Sequence, residues 1–89
     1  MSDPIEQLER LLEAAEQLDI ELRREPMTGN GGGLCRINGR YVLFVDTLAD
    51  PATRLERSLE ALAGAPDIDG IYLTPDLRER LEAARQAGG

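Results

Sequence analysis

Histidine, lysine and tryptophan are absent from this 89-residue chain, and cysteine occurs once. Without histidine the chain lacks the commonest general base and metal ligand. Without lysine it has neither Schiff-base chemistry nor the lysine of a phosphate-binding loop, since all ten basic residues are arginine. The lone Cys35 cannot form an internal disulfide, which suits a reducing compartment. Positive charge is also short: 17 acidic residues against 10 basic give a net charge of -7, which disfavours nucleic acid and anionic membrane as partners. No apolar run approaches the ~18 residues of a membrane span. The opening "MSDPIEQLER" lacks the basic-then-apolar pattern of a leader, so a cytoplasmic location is expected.

What is present reads as one small α+β domain over residues 1–89, with 42% hydrophobic and 30% charged residues. Asp3-Pro4, Asp50-Pro51 and Thr74-Pro75 each pair a capping side chain with a proline whose missing N–H costs nothing at a helix start. In the first predicted helix, Ile5, Leu8, Leu11, Leu12, Ala15 and Leu18 make the apolar stripe. The second runs from Pro51 to Ala63 on Leu55, Leu59 and Leu62, ended by Gly64 and Pro66. The third runs from Pro75 to Gln86 on Leu77, Leu81 and Ala84, with a closing "AGG" expected to fray.

Between the first two helices, "IELRRE" from Ile20 alternates as a half-exposed strand, and "GLCRINGRYVLFVD" sets Asn38-Gly39 between two β-prone runs. Asn-Gly is the strongest short hairpin signal, because a type I′ turn needs positive φ at both central residues. A two-residue turn pairs Ile37 with Arg40, Arg36 with Tyr41, Cys35 with Val42 and Leu34 with Leu43. Cys35, Ile37, Val42 and Phe44 then share one face. The other face carries Leu34, Tyr41, Leu43 and Val45, so "YVLFV" is apolar on both sides and one face needs a cover beyond an ordinary one-sided sheet. "GIYLT" at 70–74 reads as a fourth strand, giving the order α-β-β-β-α-β-α in a mainly antiparallel sheet with packed helices. The core of restriction-endonuclease-like nucleases shares that order at its start. Their metal-binding acids and lysine have no counterpart on the central strands here, so the likeness carries no activity.

The glycine-rich "MTGNGGGLCRINGR" at 27–40 fits no phosphate motif, because Leu34, Cys35 and Arg36 stand where a phosphate loop needs Gly-Lys-Ser/Thr. It runs into a strand, where a dinucleotide fingerprint opens a helix. A flexible connection with glycines relieving positive φ is the expectation. Cys35 has no activating histidine or lysine, so it is expected as a small buried apolar residue; a reactive thiol is the alternative. Asp46 follows a strand as magnesium-binding carboxylates do, Asp50 is explained as a cap, and Asp67 and Asp69 sit in a turn. No ligand spacing calls for a metal or a cofactor. Arg23, Arg24, Arg36 and Arg40 gather on or near the sheet, where they either pair with local glutamates or meet an acidic partner.

"LDIELRREP", "GGLCRINGRYVLFVD" and "IYLTPDLRERLE" resemble corresponding pieces of a small bacterial protein family without assigned activity, marked by a G-G-L-C segment, a short hairpin and a Tyr-Leu-Pro-Pro-like helix start. Thr74 stands in place of the first of those prolines. The resemblance implies a stand-alone bacterial cytoplasmic protein and carries no catalytic residue. The expected function is therefore a noncatalytic protein–protein interaction or homodimerising module. Its surface is expected at Leu34, Arg36, Tyr41, Leu43 and Val45. The alternative is a thiol-dependent enzyme or redox sensor using Cys35.

Overall fold

Asp3 opens the first helix by accepting the Ile5 amide at 3.1 Å, with Pro4 as its first residue. Asp50 opens the second by accepting both the amide and the hydroxyl of Thr53, at 3.3 and 2.6 Å. The computed structural model describes residues 3–65 and 67–88, and the chain order is α1 (Pro4–Gln17), β1 (Glu21–Glu25), β2 (Gly32–Ile37), β3 (Arg40–Asp46), α2 (Pro51–Ala63), a 3-10 turn (Ile68–Gly70) and α3 (Pro75–Gly88). Pro66 and the final Gly89 lie outside the described residues. Gly64 is the C-cap of α2, and α3 extends past Gln86 to Gly88.

The hairpin forms as its turn chemistry requires, with φ of 52° at Asn38 and 79° at Gly39 and the register Ile37–Arg40, Arg36–Tyr41, Cys35–Val42, Leu34–Leu43. The sheet order is β1-β3-β2, so β3 inserts between two strands that precede it in the chain. β1 lies parallel to β3 and β2 antiparallel to it, which corrects the mainly antiparallel expectation to a mixed sheet.

The helices gather on one face of the sheet, α1 and α2 against the strands and α3 against α2. Leu43 and Val45 share a single core with Leu8, Leu11, Leu12 and Ala15 of α1, Leu55, Leu59 and Leu62 of α2, and Leu77 and Leu81 of α3. Leu22, Leu34 and Tyr41 pack against its border. Ile5 leaves the expected α1 stripe and is exposed, one turn short of the packed region. Gln7, on the polar side of the pattern, is buried: its amide donates to Asp76 at 2.9 Å and its carbonyl accepts from Arg80 at 2.9 Å, tying α1 to α3.

Residues 70–74 keep their place in the order but not as a ladder. Ile71 is extended (φ -103°, ψ 138°), yet the described sheet has three strands. Leu73 is drawn into the helical core, and Arg78 of α3 donates to the Ile71 carbonyl at 2.5 Å. The segment is thereby fastened to the helices, leaving Tyr72 80% exposed. The turn before it is held from α3 as well, where Asp69 accepts from Arg85 at 3.0 Å. No described helix is long and apolar enough to cross a membrane.

Candidate functional site

The sheet order dictates what the glycine-rich loop must do. β1 and β2 flank β3 on opposite sides, so residues 26–31 have to cross the end of β3, a span of about 9.6 Å at ordinary strand spacing. Asp46 closes β3 directly at that crossing and is fully buried. Its Oδ1 accepts the amides of Met27 and Leu48, each at 2.9 Å, and its Oδ2 accepts the amides of Gly29 and, at 3.4 Å, Gly31. Burial pushes this carboxyl up, but the amides of Leu48, Met27, Gly29 and Gly31 together outweigh it and hold the group at about 2. The converging amides that a phosphate would use are thus occupied by the chain's own carboxylate. Asp46 is an internal anchor with no oxygen left over for a metal, and the described residues contain no cluster of three His, Cys, Asp or Glu able to hold one.

Two glycines make the crossing possible. Gly31 (φ 101°) lies under Arg57, whose Cγ would sit 2.4 Å from an added Cβ and whose guanidinium donates to the Asn30 carbonyl at 3.0 Å. Gly32 (φ 107°) presses against β3, where a Cβ would meet the Phe44 carbonyl oxygen at 1.9 Å. Arg54 secures the other side of the crossing, donating to the carbonyls of Ala49 and Thr47 at 2.7 and 2.8 Å. Met27 and Leu48, both exposed, are held next to one another by the carboxylate oxygen that they share.

The two sheet faces are reversed from the expected roles. Leu43 and Val45 are buried beneath the helices, and Leu34 and Tyr41 are half-buried at the border, so these four do not form an outer surface. Only Arg36 of the expected set is exposed, stacked 5.5 Å from the Tyr41 ring centre. The face left without helices is the one with Cys35, Ile37, Val42 and Phe44, where Val42, on the central strand, is nonetheless buried. The choice turns on β1: Leu22 joins the face of Leu43, whereas Glu21 and Arg23 join the face of Val42 and Phe44. Only the first face is apolar across all three strands, and the helices settle there.

On the open face Ile37 is 41% exposed, and Phe44 is half-buried under Arg23, which lies 6.0 Å from its ring centre and pairs with Glu21 at 2.5 Å. Cys35 is exposed, correcting its expected burial, because this face has no helix above it. The thiol stands between Gly33 and Ile37 along β2 and opposite Val42, while Arg36 points to the other face. No described group forms a hydrogen bond or ion pair with it. Of the four sheet arginines, Arg23 and Arg40 pair locally, Arg40 with Asp19 at 3.7 Å; Arg24 and Arg36 have no carboxylate partner among the described residues.

The anchoring role of Asp46, which its sequence position suggests only as a strand-end carboxylate, and the burial of Gln7 are not expressed by local pattern. The nearest signal for the first is an acid ending an apolar strand beside a glycine-rich loop. Nothing local signals the second, whose partners lie far along the chain on α3. Set against protein-family models, curated proteins and solved structures, the chain finds no match in any of the three.

Proposed function

We propose that the chain is a noncatalytic protein-interaction module of the bacterial cytoplasm, with self-association as the form to test first. One observation carries this reading: helices cover one side of the sheet, and the other is left open with Ile37, Phe44 and Cys35 on it. The catalytic equipment is correspondingly poor. The one strongly perturbed carboxylate, Asp46, is spent on the backbone of a loop. Light scattering across the micromolar range tests the homodimer. Ile37→Glu should weaken self-association by about tenfold or more with the thermal melt unchanged, because the side chain lies outside the core. A chain that stays strictly monomeric, with Ile37→Glu indistinguishable from it, overturns the homodimer form.

The exposure of Cys35 favours a second reading, a thiol-dependent enzyme or redox sensor. It requires alkylation much faster than that of free glutathione at the same pH, because catalytic thiols are activated by neighbours. A rate no faster than glutathione removes it.

A further inference from the structure

We infer that the partner is a second copy of this chain, joined edge to edge through β2 so that the two sheets become one of six strands. This rests on the interaction-module reading and adds the partner, the surface and the register. β2 is an edge strand. The Gly31 carbonyl accepts the Asp46 amide on the β3 side, and the alternation of a strand then turns the N–H and C=O groups of Gly32, Leu34 and Arg36 outward. No described strand takes them. The opposite edge is guarded: β1 reads Glu-Leu-Arg-Arg-Glu and runs directly into Pro26, the composition that blocks strand addition. β2 reads Gly-Gly-Leu-Cys-Arg-Ile and has no such guard.

Charge selects where like molecules can meet. Two chains of net charge -7 repel over most of their surfaces, yet residues 26 to 45 contain no Asp or Glu, although the chain has 17. β2 lies within that acid-free stretch. Its sequence is also self-complementary about Leu34. Antiparallel pairing on a two-fold axis at Leu34 sets Cys35 across from Gly33 of the second copy and Arg36 across from Gly32. The larger side chains of one strand thus lie beside the bare glycines of the other. The outward groups of Gly32, Leu34 and Arg36 then bond to those of Arg36, Leu34 and Gly32. The two Arg36 residues fall at opposite ends of the paired segment, about 13 Å apart along the strands.

That register is read out by mixing two full-length chains: the natural one, carrying Cys35, and a Gly33→Cys, Cys35→Ser chain. An added Cβ at Gly33 meets nothing within 4 Å, so the second chain should fold. Cross-strand neighbours of this kind stand about 4.5 Å apart between α-carbons, inside disulfide range, whereas like positions lie on a diagonal of about 7–8 Å, outside it. Copper-phenanthroline oxidation should give a mixed disulfide dimer, up to about half of the dimers at equal input, and little from either chain alone. Arg36→Pro removes one outward N–H and leaves the β2–β3 ladder intact, so it should convert the dimer to monomer in light scattering without loss of sheet. A dimer that gives no mixed disulfide, or that survives Arg36→Pro, overturns the edge pairing and leaves the interaction reading standing. A chain that never dimerises overturns both the edge pairing and the homodimer.

Discussion

Gly31 and Asp46 hold one another twice: the glycine amide lies 3.4 Å from the carboxylate, and the glycine carbonyl accepts the aspartate's own amide at 3.1 Å. Removing the carboxylate should therefore release the whole crossing. Asp46→Ala is expected to lower Tm by roughly 10 °C, a large shift for a domain of this size, and to speed exchange at the Met27, Gly29 and Leu48 amides in NMR. An unchanged melt would mean that the loop is held by Arg54 and Arg57 alone.

Deleting the side chain altogether should leave an anion-shaped gap lined with backbone donors. Asp46→Gly is expected to regain part of its lost Tm in tens of millimolar formate or acetate, while the natural chain shows no such gain. A thermal melt at matched chloride concentration checks this, since chloride controls for ionic strength.

The same carboxylate sets an acid limit. Its folded value of about 2 is depressed below the unfolded one of about 3.9, so its contribution is complete above the unfolded value and drains away as pH falls toward the folded one. Stability should thus decline from about pH 4 to about pH 2, and Asp46→Asn should flatten this part of the profile. Thr53 likewise holds Asp50 below its ordinary range, so the natural chain has a second contributor in the same direction. Urea melts across that window give the slopes.

Adjacent glycines should behave in opposite ways. Gly32→Ala puts a methyl 1.9 Å from the Phe44 carbonyl oxygen at a φ of 107°, and should cost more than about 3 kcal/mol or prevent folding. Gly33→Ala meets nothing within 4 Å and should stay within about 0.5 kcal/mol of the parent by chemical denaturation.

The two sides of "YVLFV" were equally apolar to inspection, and a pair of substitutions separates them. Leu43→Ala empties a fully buried site and should cost about 2–5 kcal/mol; Ile37→Thr on the open face should cost under about 0.5 kcal/mol. Equal costs would mean that both faces are covered.

These contrasts mark how far local pattern reaches. Asn38-Gly39 and the prolines at 4, 51 and 75 mark their turn and helix starts through backbone chemistry within a few residues, and each forms at its expected place, with Asp3 and Asp50 as side-chain caps. That the helices cover Leu43 rather than Val42 depends on Leu22 and Arg23 of a strand about twenty residues earlier, and on that strand lying parallel. Local alternation cannot express either. The exposure of Cys35 has the same origin, because it depends on which face the helices take. The tie of Asp46 to the loop needed the strand order, which no single segment carries.

The placement of β3 between two earlier strands also sets a schedule for assembly. Residues of β2 and β3 meet across a two-residue turn, whereas each β1 residue must find a partner 21 positions downstream. Short loops close fastest, so the hairpin arises first, on a timescale of about microseconds, and β1 docks onto a ready-made edge. The glycine-rich crossing can be drawn tight only after that docking. Its amide protection is therefore a late reporter of folding, and Asp46 variants should speed unfolding far more than they slow refolding.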